Sequence, residues 1–363
     1  MFDLPSNDSF NNSPLVVQEY VIDSKNDTSW DEPLRYYAEK HLITMSDEEL
    51  DQDWKLNEFF GTIAVINLPE AKERLQLITQ ELNEIGTKTF RVFKAINGRK
   101  ELSPSIWKKI DSKRGKVNRD KKEKQEVLDQ TLQAEAGCYM SHYRLIQSVN
   151  RAFEKAMANF LMAKATHDSE KIRKAEIELN KYKSVLVLED DAGFGIVNKE
   201  QIAASKKGVG KLLREALREL PNDWDILYFL VHPTAPVEET SPHLRKLKKS
   251  WCCVAYAINY TMYAPVLQCL GEIEDPKVEK VWAFDHQISK IHHLHKSYAV
   301  FPALVFHQEG ASQIKVVDNV WPIWQCQPVY PQPKDKLSKK TGPNKKPQKS
   351  VQFSTHLINN ILN

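Results

Sequence analysis

The run Ser184-Val185-Leu186-Val187-Leu188 is the most apolar stretch of the chain, and it leads without a spacer into Glu189-Asp190-Asp191. Its length and β-branched content predict a strand buried inside an α/β sheet rather than a half-solvated one. Three acids at the end of such a strand need a reason, because ligands of open α/β sheets gather at the carboxyl ends of the strands. Alternate residues leaving a strand point the same way, so Glu189 and Asp191 are expected to face one ligand together. Two carboxylates suit a hard divalent cation such as Mn²⁺ or Mg²⁺, which in turn can hold a diphosphate. The competing reading is that the acids cap a helix or coat a loop.

Around this strand the chain alternates elements. Thr62-Ile63-Ala64-Val65-Ile66-Asn67-Leu68 is a second buried strand, followed by a helix from about Glu70 to Ile85 with Leu75, Ile78, Leu82 and Ile85 at helical spacing and Gly86 as its stop. Phe90 to Ile96 is a third strand, closed by the turn pair Asn97-Gly98. A helix around Leu212–Leu220 is followed by further predicted strands over Trp224–Leu230 and Cys252–Ile258. A helix from Glu135 to Ala156 continues into a Lys/Glu/Ala-rich segment that reads as an inserted helical hairpin, about residues 151–181. Residues 1–60 form an acidic N-terminal extension, residues 61–330 one α/β domain, and residues 331–363 a Lys/Pro-rich flexible tail with seven lysines between Lys334 and Lys349.

Charge and cysteine usage narrow the function classes. With 51 basic and 48 acidic residues the net charge is +3, which gives no overall field for nucleic acid as partner. The five cysteines are odd in number, and adjacent Cys252 and Cys253 make an awkward disulfide pair, so a reducing compartment is expected. No signal peptide and no bilayer-spanning run is read, which predicts a cytoplasmic protein. The lysine tail fits either peripheral contact with the inner face of the membrane or a solubilising role.

Several motifs in order then carry a resemblance. Val187-Leu188-Glu189-Asp190-Asp191-Ala192 resembles the Leu-Glu-Asp-Asp segment of glycosyltransferase family 25, the lipopolysaccharide-type and collagen-type galactosyltransferases. Ile66-Asn67-Leu68 with Arg74 downstream is similar to that family's opening strand, and Ala95-Ile96-Asn97-Gly98-Arg99 to its Ala-x-Asp-Gly turn, with Asn97 in place of Asp. Gly137-Cys138-Tyr139-Met140-Ser141-His142 resembles its Gly-Cys-x-x-Ser-His helix, and Phe284-Asp285-His286 its Val-Asp-His element. Trp224–Tyr228, Ala255–Ile258 and Pro302-Ala303-Leu304 with Gln308 and Ser312 complete the pattern, which spans about residues 62 to 314.

The resemblance implies a GT-A-like nucleotide-sugar-binding open mixed sheet flanked by helices. It implies a metal-dependent inverting glycosyltransferase that moves a hexose, galactose foremost, from a UDP-sugar to a carbohydrate acceptor such as lipopolysaccharide, lipid-linked acceptors included. It places Glu189, Asp191 and His286 on the metal. Asn67, Arg74, Ser141, His142, Asp190 and Asp225 fall on the donor, and Asp285 acts as the base that takes the acceptor's proton. Against these stand plainer readings: a helix cap for Asp285, packing for Ser141 and His142, a backbone partner for Asp225. His292, His293 and His295 lack the spacing of a zinc site and are expected on a solvated helix face. Five residues intervene between Leu68 and Arg74 where the family has arginines, which keeps two alternatives in view: a non-catalytic sugar-nucleotide or glycan-binding module, and an enzyme that glycosylates protein.

Overall fold

The computed structural model describes residues 18–21, 54–111, 121–198 and 203–308. All of them fall in the compact unit Met1–Pro331, while the lysine tail and most of the acidic extension lie outside the described residues. The strands that position the site are β1 (Gln18–Val21), β2 (Thr62–Asn67), β3 (Thr89–Lys94), β4 (Ser184–Glu189), β5 (Ala192–Phe194), β6 (Ile226–Tyr228), β7 (Glu238–Ser241), β8 (Leu244–Lys246), β9 (Ala255–Asn259), β10 (Ser297–Val300) and β11 (Val305–His307). Nine of them form one mixed sheet in the order β1-β3-β2-β4-β9-β6-β10-β8-β7, and β5 pairs with β11 in a separate ribbon. β3, β2 and β4 are mutually parallel, with Ile66 opposite Glu189, so β2 and β4 finish side by side. β9 lies antiparallel on the other side of β4, its Ala255 opposite Leu188.

Alternation along the strands divides the core between two faces. Ala64, Ile66, Val185, Val187, Tyr256 and Ile258 pack under the long helix α3 (Lys121–Ala165), together with α6 (Tyr263–Gly271) and α7 (Phe284–Ile288). Ile63, Val65, Leu186, Leu188, Ala255 and Ala257 pack under α1 (Lys72–Glu84) and α5 (Val209–Glu219). With helices on both faces, every residue of β4 before Glu189 is buried. Each buried Val or Leu there contributes roughly 1.5–3 kcal/mol, which fixes the strand that carries the acids.

The expected helices and strands are present with bounds shifted by a few residues. The largest difference is α3, which begins at Lys121, well before Glu135, and runs unbroken to Ala165 before α4 (Ser169–Asn180). Two glycines set α3 against the turn after β3. A Cβ on Gly98 would lie 1.8 Å from the Gln133 carbonyl oxygen, and one on Gly137 would lie 2.7 Å from the Gly98 nitrogen. The resulting close approach of helix α2 (Gly98–Glu101) to α3 holds Cys138, Ser141 and His142 at the sheet end.

One expectation fails outright. His292 is not on a solvated face: it is 1% exposed, its ring nitrogens meeting the Tyr228 hydroxyl at 2.7 Å and the Ser250 hydroxyl at 3.2 Å. Burial pushes its pKa down to about 3, so it stays neutral.

Candidate functional site

The strand ends and the α2–α3 junction enclose an open cleft of about 340 Å³ at the carboxyl edge of β2 and β4. Arg74, Arg99, Cys138, Ser141 and His142 line it together with Glu189, Asp190 and Asp191. Its size is that of small-molecule sites.

Asn67, the last residue of β2, donates from Nδ2 to Asp190 Oδ2 at 2.7 Å and to the Ala71 carbonyl at 3.1 Å. Arg74, in the first turn of α1, spans two carboxylates: Nη1 to Asp190 Oδ1 at 2.9 Å and Nη2 to Asp191 Oδ2 at 2.6 Å. Asp191 Oδ2 also lies 3.6 Å from His307 Nδ1, while its Oδ1 is buried without a hydrogen-bond partner. The chain is held here by β5 and β11, since the Gln308 amide donates to the Asp191 carbonyl at 2.7 Å.

One guanidinium thus serves two acids, and they titrate apart. Burial pushes the Asp190 carboxyl up to about 7, against the pull of Arg74. Burial works on Asp191 too, but His307 and then Arg74 overcome it and hold Asp191 below the ordinary carboxylate range. Burial opposes the charge of Arg74 as well, and Asp191 and Asp190 outweigh it. Asp191 is therefore the acid that carries the negative charge.

Glu189 takes different partners. Its Oε1 lies 3.1 Å from His142 Nε2 and 3.9 Å from Cys138 Sγ. His142 is fully buried, its Nδ1 2.8 Å from the Tyr256 hydroxyl and its ring stacked on Phe284 at 4.0 Å. Ser141 is structural in its contacts, accepting from the Ile96 amide at 2.8 Å and donating to the Gly137 carbonyl at 2.6 Å.

The expected site residues therefore divide. Asn67, Arg74, Ser141, His142, Glu189, Asp190 and Asp191 meet at or around the cleft. Asp225, His286 and Asp285 do not line it. Asp225 sits before β6, at the sheet edge opposite the strand ends of β2 and β4, and accepts from the Lys296 amide and the Thr261 hydroxyl, both at 2.9 Å. His286 stacks on Trp251 with ring centroids 5.7 Å apart. Asp285 is not a helix cap; Ala283 holds that position, and the Asp285 carboxylate accepts from the Cys252 amide at 3.2 Å and from the His286 amide at 2.8 Å.

Glu189 and Asp191 do not share one partner, because β4 ends at Glu189 and Asp190–Asp191 form the turn into β5, which breaks the strand alternation. His307 and Cys252 were missed by the sequence reading. The Cys252 thiol lies 3.5 Å from His307 Nε2. Cys252 has φ 76, a left-handed backbone unusual for a residue with a Cβ. The alternation Val305-Phe306-His307, with His307 opposite Ala192, is the signal that could have placed His307 beside the acids.

Such a sheet, flanked by helices and with a polar cleft where its parallel strands end, defines a mixed α/β protein whose cleft lies where ligands of open sheets gather. Residues 60–157 match the sequence model of glycosyltransferase family 25 (LPS biosynthesis protein), which is the family that the motifs resemble. The match takes in Asn67, Arg74, Ser141 and His142 and ends before the acidic turn. No curated protein matches the chain. The family implies a glycosyltransferase, with a nucleotide-sugar donor and a glycan acceptor. Among the described residues no helix is long and apolar enough to cross a membrane.

Proposed function

We propose that the protein transfers a hexose, galactose foremost, from a UDP-sugar to a hydroxyl of a lipopolysaccharide-type glycan, with inversion at the anomeric carbon. The bond from the sugar to the diphosphate breaks, a bond to the acceptor oxygen forms, and the acceptor loses its proton. The observation that carries this reading is the Arg74–Asp190–Asp191 constellation lining the cleft, with Asn67 holding Asp190, inside and beside the family-matched segment. Arg99 also lines the cleft, and a guanidinium there suits the charge that grows on a departing diphosphate.

An oxygen-ligated Mn²⁺ or Mg²⁺ held by Glu189, Asp191 and His286 does not fit this arrangement. Asp191 Oδ2 is taken by Arg74 and His307, and His286 is stacked on Trp251. Asp285 does not line the cleft, and its carboxylate holds the Cys252 amide.

The experiment is a panel of UDP-sugars, each with an oligosaccharide acceptor, read as released UDP and as the anomeric configuration of the product, on the native protein and Arg99→Ala. Turnover of one donor with inverted product, and a rise of roughly tenfold or more in its KM in Arg99→Ala, supports the reading. Donor binding without release on oligosaccharide or peptide acceptors points to the non-catalytic module. Transfer to peptide alone points to a protein-modifying enzyme. Absence of both binding and turnover overturns all three.

A further inference from the structure

The cleft is also lined by a trio that sugar transfer, as proposed above, leaves unused. Cys138 and His142 stand one helical turn apart on α3, and Glu189 closes β4 beneath them. One donor atom from each of the three lies within 4.8 Å of the others. A tetrahedral ion with bonds of about 2.0–2.3 Å to sulfur, nitrogen and oxygen sets a nitrogen–oxygen pair ~3.4 Å apart and a sulfur–oxygen pair ~3.6 Å apart. The corresponding spacings here are 3.1 Å for His142 Nε2 to Glu189 Oε1 and 3.9 Å for Cys138 Sγ to Glu189 Oε1. Side-chain movements of a few tenths of an ångström close these two differences, and the third pair, Cys138 and His142, lies within 4.8 Å.

Three further features belong to a metal site rather than to a chance polar cluster. The second ring nitrogen of His142 meets the Tyr256 hydroxyl at 2.8 Å, the outer partner that orients an imidazole ligand. Stacking on Phe284 fixes the ring plane. All three donors line the cleft, so a fourth position opens onto it, as in sites where a bound water or substrate atom completes the sphere. A thiolate and an imidazole select a borderline cation over the hard ions that prefer oxygen.

We propose that Cys138, His142 and Glu189 form a three-ligand site for a zinc-like divalent cation with one position open to the cleft. The site stands whether or not a sugar is transferred, since its evidence is the donor geometry alone.

The test uses the full-length protein stripped with a chelator and reconstituted with one equivalent of Co²⁺ without oxygen. Visible ligand-field bands and a near-ultraviolet thiolate-to-cobalt band are expected, and bound Zn²⁺ should displace them with one equivalent per chain. Cys138→Ser should abolish the thiolate band. Glu189→Gln, which keeps the shape of the side chain, should weaken Co²⁺ binding at least tenfold, and Tyr256→Phe should weaken it roughly tenfold through His142. Cys252→Ser should leave the spectrum unchanged. Failure to bind Co²⁺ or Zn²⁺ overturns the proposal. So does a thiolate band that survives Cys138→Ser, one that vanishes in Cys252→Ser, or Mn²⁺ competing on equal terms with Zn²⁺. If Cys138→Ser does not fold, unchanged affinity in both Glu189→Gln and Tyr256→Phe is the overturning result.

Discussion

Cys138, His142 and Glu189 bring one donor atom each within 4.8 Å of the others, whereas Cys252, His307 and Asp191 run in a line. In the first set His142 offers a single nitrogen to the group, its other nitrogen being turned to Tyr256. In the second, His307 is used on both sides: Nε2 lies 3.5 Å from Cys252 and Nδ1 3.6 Å from Asp191. Each set holds a cysteine, a histidine and a carboxylate, and the acids are two positions apart in the chain, so composition does not separate the sets; the number of ring nitrogens engaged does. A convergent set leaves a place for an added cation. A linear set neutralises itself. Burial resists ionisation of Cys252, yet His307 and His232 lower its pKa, and His307 is raised well above its ordinary value by Cys252 and Asp191 against the same burial. From His307 through Asp191 to Arg74 charges alternate along the line, which is how buried ions become tolerable.

The strongest way to break this contrast is Arg74→Ala. It leaves Asp191 charged and half of its pairing gone, so stability at neutral pH should fall by about 4 kcal/mol in urea unfolding. Arg74→Lys should lose less, since an ammonium cannot span both carboxylates as the guanidinium fork does. A loss under about 1 kcal/mol in Arg74→Ala would mean the line is not held from its Arg74 end.

A second test sharpens the division between the paired acids. The Asp190 carboxyl is raised to about 7 from an ordinary 3.8, mainly by burial. The folded chain therefore binds that proton more tightly than the unfolded chain. The stability from this group is full below about pH 4 and is lost as pH rises towards 7. The stability of the native protein relative to Asp190→Asn should decline across that window by on the order of 3 kcal/mol. A flat difference would show that Arg74 keeps Asp190 ionised throughout. Asp191, lowered by His307 and Arg74 despite its burial, works in the other direction, its stability being present above pH 4 and lost below it.

What the sequence disclosed follows the range of the forces involved. The apolar run ending at Glu189, the strand ending at Asn67 and the helix bearing Arg74 are local patterns, and each is in place. The i, i+4 relation of Cys138 and His142 is also a local pattern, though His142 is read with Ser141 as part of a sugar site and Cys138 is given no role. The exit geometry of Glu189 and Asp191 was not legible, because strand alternation holds only while the ladder continues and here it stops at Glu189. His307 and Cys252 reach the acids only through the β5–β11 ribbon and the turn before β9, contacts between segments far apart in the chain. His292 misled because neighbouring His293 is exposed while His292 turns inward to Tyr228. The spacing of the three histidines does not reveal which of them faces the core.

The smallest effect is the most specific to the linear set. Ultraviolet thiolate absorption, followed against pH as a difference between the native protein and Cys252→Ser, should show Cys252 ionising below the ordinary thiol value of 9.0. Burial keeps Cys253 and Cys269 protonated through that range, Cys269 being pushed up to about 11, so they do not obscure the difference. His307→Gln keeps a hydrogen-bonding side chain but removes the cation, and should move the Cys252 titration up by at least one unit, about 1.4 kcal/mol. His142→Gln should leave it where it was, because His142 belongs to the convergent set. A Cys252 titration that shifts equally in both variants would mean that the two sets share one field across the acidic turn, and the distinction between an added cation on one side and an internal pair on the other would have to be given up.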